Sequence, residues 1–354
     1  MRIKKLDGLR GICSVMVVIY HYSQDFLPDY LYNFFIIRES HTFVDFFFVL
    51  SGFVIAYNYH SLGNFKDFWT YLKKRFIRLY PLLFYTVNIC LVAMIISNNF
   101  LTKYIDEGSS LMEQIYTTLD SLTFLNSTPL LGDSLGMNHP SWSISAEMIS
   151  YIVFGLLSVI LIKNRKIVLF LCIMCLSTIT LLDYGTFFVF GDYGFIRGLM
   201  CFLLGYFIWE LNLLKFQLNN YLEYTIPFLL TSILYILHIN VGNSIRVYFE
   251  FLVPVIFGLS IFILIKTNGW ISRILEKEPM QFLGRISYST YLNHFIILYI
   301  LPNILFKVLS IPNNETIQII IFILCLILTI LYSYFTYKHV EIRGTKFLRK
   351  HLLK

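Results

Sequence analysis

The sequence predicts an all-α fold, a polytopic bundle of about ten transmembrane helices with both termini in the cytoplasm. Composition is the first observation: 57% of the 354 residues are hydrophobic and 14% are charged, and the mean hydropathy is +0.68. Soluble domains do not have such values. The second observation is a series of stretches that could each cross about 30 Å of hydrocarbon as a helix. The third is the distribution of basic residues.

The apolar stretches follow one another without a recognisable soluble domain, so residues 1–354 are expected to form one integral-membrane domain. The first stretch is not expected to be a cleaved signal peptide, because Asp7 and Arg10 interrupt its apolar region. The predicted spans lie near 6–23, 42–60, 76–98, 141–162, 166–182, 195–213, 222–239, 247–266, 282–306 and 315–337.

Lysine and arginine indicate the topology. If the amino terminus is inside, 23 of the 28 basic residues fall in inner segments and 5 in outer segments. The inner segments are 1–10, 61–78, 163–166, 210–221, 266–285 and 338–354, and the outer basic residues are Arg38, Lys103, Arg197, Arg246 and Lys307. The positive-inside rule therefore favours cytoplasmic termini. The net charge of +7 is explained by this topology, and no nucleic-acid partner is expected. The six cysteines all fall inside predicted spans, where they are read as apolar packing residues and not as a disulfide or metal framework.

Ionisable residues inside the spans indicate a functional site, since placing one in lipid costs at least ~2.5 kcal/mol. Arg10 and His21 share one face of the first helix and are separated by ~16 Å along its axis. Asp45 is expected at about the depth of His21, near the outer side, and Glu147 about two turns in from that side, so all three reach the outer third of the membrane. A histidine beside carboxylates can serve as a general base. His41, four residues before Asp45, is a rival base expected in the outer loop.

Three arginines are expected at the inner mouth of the bundle. Arg75 and Arg78 lie three residues apart, on one helical face, and Arg10 begins the first span. Guanidinium groups bind phosphates well, so a phosphorylated ligand from the cytosol is expected here. The structural alternative is that all these charges satisfy one another as buried interhelical pairs.

The chain resembles the membrane-bound acyltransferase-3 family, the bacterial acyl-CoA-dependent O-acyltransferases. The resemblance covers nearly the whole chain, because seven motifs occur in the family's order. They are LDGLRGICSVMVVIYH, DFFFVLSGFVI, KKRFIRLYP, SWSISAEMISY, RGLMCFLLGY, GRISYSTYLNHF and YKHVEIRGTK.

Matching these motifs position by position implies roles for eleven residues. The expected catalytic residues are His21, Asp45 and Glu147. The residues expected to contact acyl-CoA are Arg10, Arg75 and Arg78. The residues expected near the substrate are Trp142, Ser145, Arg197, Tyr291 and His294. His21 would activate the acceptor hydroxyl, with Asp45 or Glu147 orienting its ring.

The expected activity is transfer of an acyl group, with acetyl as the expected group, from cytoplasmic acyl-CoA to a hydroxyl of a surface polysaccharide or lipid-linked sugar. The expected location is the bacterial cytoplasmic membrane, with lipids as further partners and no metal. The alternative is a proton-coupled exporter of a sugar or lipid intermediate that uses His21, Asp45 and Glu147 as a proton relay. Transporters often have matched halves with broken helices, and the sequence shows no such symmetry.

Overall fold

The computed structural model describes residues 3–59, 62–100, 110–131, 135–161, 163–214 and 216–353, and no strand occurs within these ranges. The α-helices, α1 to α16, are Lys4–Phe26, Asp29–Tyr32, Phe35–Arg38, Phe43–Asn58, Phe65–Phe100, Leu111–Leu122, Trp142–Ile160, Lys163–Asp183, Gly194–Asn212, Thr225–Ile239, Arg246–Glu250, Leu252–Lys266, Trp270–Leu275, Glu278–Pro302, Glu315–Thr336 and Ile342–Leu352. Short 3-10 helices are Ser40–Thr42, His139–Ser141, Gly191–Tyr193 and Asn220–Tyr224, and π-helices are Asn303–Val308 and Tyr337–Glu341.

The prediction of an all-helical membrane bundle is confirmed. Among the described residues, nine helical segments are long and apolar enough to cross a membrane. The expected number was ten, and the difference is the span at 6–23. That span forms α1, which carries Asp7 and Arg10 and is not among the nine segments. α1 packs in the bundle along α14, where its charges have partners.

α5 is longer than a membrane requires. The basic, aromatic stretch KDFWTYLKKRFIRLYP is continuous with the span predicted at 76–98, and together they form a helix of 36 residues. Its length is ~54 Å, whereas the hydrocarbon core is about 30 Å thick. The first turns of α5, which carry Lys66, Lys73 and Lys74, therefore extend beyond the apolar layer.

Segments predicted on the inner side meet at one end of the bundle. Lys5 Nζ donates to Asn268 Oδ1 at 2.8 Å, and the Asn268 backbone N–H donates to Asn220 Oδ1 at 2.8 Å. Thr345 in α16 donates to the carbonyl of Ile77 in α5 at 3.4 Å. We call this end, formed by the amino terminus, the first turns of α5, the loops near 220 and 268, and α16, the basic end.

Segments predicted on the outer side meet at the opposite end. Arg246 Nη2 donates to Glu39 at 2.8 Å, and Arg246 Nε donates to Glu250 at 3.0 Å. Glu250 also accepts from Thr186 Oγ1 at 2.8 Å. These contacts agree with the predicted topology, in which successive connecting segments lie at alternate ends of the bundle. That the basic end faces the cytoplasm stays a prediction, based on the lysine and arginine bias.

α6 lies at the opposite end with its apolar face outward. The helix begins with a capping box in which Ser110 and Glu113 bond each other's backbone N–H groups. The exposed side chains are Leu111, Met112, Ile115, Tyr116 and Leu119, and the buried ones are Gln114, Thr118, Asp120 and Ser121. This arrangement suits a helix that rests against lipid.

Glycines allow α4 and α9 to touch backbone to backbone. A Cβ placed on Gly52 would lie 1.8 Å from the Phe202 carbonyl oxygen, and one on Gly205 would lie 1.9 Å from the Val49 oxygen. Small residues at such crossings are typical of membrane helices, because close approach maximises van der Waals contact. These two glycines fix the depth and rotation of α4, which carries Asp45.

We predict that Gly205→Ala destabilises the bundle by about 1–3 kcal/mol, because the methyl group must push two helix backbones apart. The matched control is Gly63→Ala, whose added Cβ meets only the flexible Asp67 carboxylate at 3.3 Å. Thermal unfolding of both variants in detergent tests this. Equal unfolding temperatures for the two variants would contradict the proposed role of the α4 and α9 crossing.

Candidate active site

A central cavity of about 250 Å³ opens between α1, α4, α5, α7 and α14. Its charged lining residues include Asp7, Arg10, Arg75, Arg78 and Glu147. The three arginines predicted to gather at the inner mouth are thus brought together, although they come from two helices far apart in sequence. Ligand sites in helix bundles commonly form between facing helices in this way.

Glycines bring Arg10 to its partners. A Cβ on Gly11 would lie 2.6 Å from the Gly284 backbone nitrogen, so α1 and α14 are in backbone contact. Arg10 therefore reaches across the crossing: Nε donates to Ser287 Oγ at 2.8 Å and Nη2 to the Gly284 carbonyl at 2.6 Å. Asp7, one turn earlier, lies 3.8 Å from Nη2. The guanidinium is held in place on the cavity wall.

Arg75 is framed by aromatic rings. Its guanidinium carbon lies 5.3 Å from the Tyr59 ring centre and 6.0 Å from that of Tyr151, and Nη2 donates to Tyr59 Oη at 3.3 Å. The Nε–H group is buried and has no hydrogen-bond partner within the described chain. A buried arginine N–H is costly to leave unsatisfied. Arg75 therefore retains capacity to bind an anionic ligand.

Glu147 lies in the cavity wall and accepts hydrogen bonds from two hydroxyls, those of Ser51 and Tyr151. Tyr151 follows Glu147 by four residues, so the two side chains are neighbours on one face of α7. Sequence reasoning missed Ser51 and Tyr151, although both stand within the motifs that carry Asp45 and Glu147.

Asp45 pairs with Arg197 and not with His21. Both side chains are buried: Arg197 Nε and Nη2 donate to the two carboxylate oxygens at 2.7 and 3.0 Å. Three rings, those of Trp142, Phe187 and Phe188, lie within 5.0–5.7 Å of the guanidinium. A bidentate pair in an aromatic enclosure compensates the cost of burying both charges. Arg197, counted with the outer segments by sequence, lies inside α9.

His21 is oriented by its own helix. Its Nδ1 lies 2.9 Å from the Val17 carbonyl oxygen, which can only accept, so Nδ1 carries the hydrogen and Nε2 keeps its lone pair. We expected Asp45 or Glu147 to orient this ring. Among the described residues, the ring is instead hydrogen-bonded to Val17, while Asp45 is bonded to Arg197 and Glu147 to Ser51. His21 is partly buried and is not among the residues that line the central cavity.

Two residues of α14 stand between the cavity and His21. Tyr291 lines the cavity and is hydrogen-bonded to Ser143 at 2.8 Å. Its ring lies 6.0 Å from that of His294, which in turn lies 4.8 Å from the His21 ring. His294 is fully buried and donates from Nδ1 to the Tyr291 carbonyl at 2.7 Å, and its Nε2 has no partner in the described part of the chain.

Trp142 and Ser145, expected beside the substrate, do not line the central cavity. Ser145 is hydrogen-bonded to Ser127 at 2.8 Å and donates to the Phe124 carbonyl at 2.5 Å. Trp142 packs on Phe48 at 6.0 Å as well as on Arg197. Ser145 therefore holds the outer 123–128 segment against α7. Ser143, which does line the cavity, was missed by sequence although it neighbours both residues.

Comparison with known proteins identifies the family. The family model described as an acyltransferase domain, that of the acyltransferase-3 family, matches residues 3–338. The protein named Protein 2 in picA locus, from Rhizobium radiobacter, is 32% identical over 163 residues, which are 42% of this chain and 79% of that protein. Acyltransferase MdmB of Streptomyces mycarofaciens is 29% identical over 160 residues, 44% of this chain and 39% of that protein.

Staphylococcus aureus proteins provisionally named O-acetyltransferases are 22% identical over 361 residues, which are 95% of this chain and 56% of theirs. The chain thus spans about half the length of these relatives. No solved structure is significantly similar to it. Since the family match extends over nearly all of the sequence and the fold is a helical membrane bundle, the chain belongs to the acyltransferase-3 family of acyl-transferring enzymes.

Proposed function

We propose that this chain is an integral membrane O-acyltransferase. It would move an acyl group, expected to be acetyl, from acyl-CoA at the basic end to a hydroxyl of a cell-surface glycan or lipid-linked saccharide at the opposite end of the bundle, in a bacterial cytoplasmic membrane. The central cavity is the main support for this proposal, because Arg10, Arg75 and Arg78 line its wall. The chain that forms this cavity belongs to the acyltransferase-3 family. The names of the Staphylococcus aureus relatives support acetyl.

Donor binding is assigned to the arginine side of the cavity. Arg75 supplies an N–H group that has no hydrogen-bond partner among the described residues, and Arg78 lines the same wall. Arg10 is already bonded to α14, so it shapes the passage and adds positive charge along it. The phosphates of acyl-CoA would remain near Arg75 and Arg78 while the thioester end enters the apolar interior.

The chemical step is assigned to His21 Nε2, whose lone pair is kept available by the Nδ1 bond to Val17. Nε2 takes the proton of the acceptor hydroxyl while the oxygen attacks the thioester carbonyl. The carbon–sulfur bond then breaks, and the proton passes from the imidazolium to the departing CoA thiolate. No net charge is left on the protein.

Asp45 and Glu147 are assigned positioning roles in this scheme. The Asp45 and Arg197 pair locks α4 against α9, and Glu147 organises Ser51 and Tyr151 around the donor passage. Trp142 and Ser145 act on the acceptor side, since Ser145 fastens the outer segment containing Phe124. The acceptor would reach His21 from this end of the bundle.

Transfer requires the Tyr291 and His294 layer to open. In this conformation the cavity ends at Tyr291, and His21 lies beyond His294. Rotation of the Tyr291 ring away from Ser143 would join the cavity to the base. Keeping donor and base apart until both substrates are bound protects the thioester from water. The family match favours acyl transfer over the exporter alternative.

We predict that His21→Ala reduces acylation of surface glycans at least about 100-fold, the contribution typical of a general base. Binding of CoA should be unchanged, because His21 lies outside the cavity. Mass spectrometry of surface polysaccharide from cells that produce equal amounts of each variant tests this. His41→Ala, in which the rival base is removed, is the matched control and should stay active. Activity that survives His21→Ala but not His41→Ala would reassign the base.

We predict that Arg75→Ala weakens CoA binding about tenfold or more, because a charge-assisted hydrogen bond to phosphate is worth about 1.5–3 kcal/mol. Calorimetric titration of the purified chain with CoA measures the effect. Arg38→Ala at the opposite end, where Arg38 Nη1 donates to the exposed Asn33 at 2.9 Å, is the control and should bind CoA normally. Equal affinities for the two variants would remove Arg75 from the donor site.

A further inference from the structure

A second concave region adjoins the central cavity at the basic end. This region, which we call the basic groove, has a volume of about 1570 Å³ and lies between the first turns of α5 and the carboxyl-terminal segment from Tyr337 to Leu353. Arg75 and Arg78 line both the groove and the cavity. A ligand long enough to pass these two arginines would therefore occupy both spaces.

The groove is strongly positive. Besides Arg75 and Arg78, its lining contains the cations Lys66, Lys73, Lys74, Lys346 and Arg349. Glu341 is the single carboxylate among the described lining residues, and it accepts a hydrogen bond from Ser289 at 2.8 Å. An excess of cations facing one another across a concave surface raises the local concentration of anions. Several phosphate groups on one ligand fit this charge.

Both walls of the groove are fixed to each other. A Cβ on Gly344 would lie 2.6 Å from Pro81 Cβ, so α16 rests directly on α5, and Thr345 donates to the Ile77 carbonyl. Lys346 and Arg349 are three residues apart on α16 and both line the groove, whereas Arg343 and Lys350 of the same helix do not. The family match ends at residue 338, before α16 begins.

The groove also offers an aromatic surface. Trp69 is 57% exposed although it packs edge-to-face on Phe68 at 5.3 Å. An indole ring on a basic surface can stack with a purine base, as aromatic side chains do in nucleic-acid complexes. The groove thus combines basic side chains for phosphates, the Trp69 ring for a base, and a connection to the central cavity. These features suit a phosphorylated nucleotide that carries a long substituent.

We propose that the basic groove binds the phosphorylated nucleotide end of the acyl-CoA donor, with Lys346 and Arg349 of α16 binding its phosphates. The inference rests on the proposed function, since it assigns the far end of the same donor. The thioester end passes Arg75 and Arg78 into the cavity. Phospholipid headgroups carry the same phosphate chemistry, so the experiment separates the two sources.

The test uses the full-length chain in nanodiscs of neutral phosphatidylcholine, titrated calorimetrically with CoA and with 3′-dephospho-CoA. Lys346→Ala and Arg349→Ala should each raise the Kd for CoA about threefold, as expected for partly exposed charge pairs. The effect should shrink between about 0.1 M and about 1 M salt, because the Debye length falls from ~10 to ~3 Å. It should also be smaller for 3′-dephospho-CoA, which has one phosphate fewer.

Arg343→Ala and Lys350→Ala are the matched controls, since they remove the same charges from α16 outside the groove. An equal loss of affinity in these controls would reduce the effect to general surface charge and overturn the inference. The inference is also overturned if Lys346→Ala and Arg349→Ala bind CoA with the wild-type Kd but differ from wild type in their binding of phosphatidylglycerol added to the nanodiscs. That result would assign the groove to lipid headgroups.

The outcome for Arg75→Ala separates this inference from the proposed function. If Arg75→Ala weakens CoA binding and the α16 variants do not, the groove assignment fails and the donor proposal stands. If the wild-type chain binds no CoA, the proposed function fails and the groove assignment fails with it. Weaker binding in both sets of variants, with normal binding in the controls, supports a donor that spans cavity and groove.

Discussion

Charged side chains within a hydrocarbon layer must be paired, bonded or open to water, and this constraint sorts the residues of the bundle. Asp45 and Arg197 satisfy each other inside an aromatic enclosure, so little capacity remains for a ligand. Glu147 is satisfied by two hydroxyls. Arg75 differs, because its buried Nε–H group, at the edge of the cavity, has no partner in the part of the chain that the structure describes. Structural and ligand-binding charges are distinguished by their partners, although they look alike in the sequence.

Much of the fold follows from composition because lipid tolerates so few alternatives. Each apolar run of sufficient length forms a helix, and its ends fall within a few residues of the predicted ones, except that α5 begins eleven residues earlier. The gathering of Arg10, Arg75 and Arg78 was predictable too, since all three lie at the same depth from one end. Depth along a helix can be counted from sequence with a rise of ~1.5 Å per residue.

The neighbours of each charge could not be predicted in the same way. Asp45 and His21 do lie toward one end of the bundle, yet Asp45 turns to α9 because Gly52 and Gly205 bring those two backbones into contact. Helical periodicity gives the face on which a residue lies, but not the helix that this face meets. The same limit applies to Ser145, whose partners in the outer segment come from a region without apolar periodicity.

The separation of the arginine cavity from His21 has a mechanistic consequence. A continuous passage would expose the donor thioester to the water that accompanies the acceptor, and hydrolysis would compete with transfer. In the proposed mechanism, the Tyr291 and His294 layer, with ring centres 6.0 Å apart, separates the donor from this water at rest. The hydrogen bond between Tyr291 and Ser143 holds that layer closed and contributes about 1 kcal/mol. In the proposed mechanism, the binding of substrates on both sides of the layer supplies the free energy that opens it.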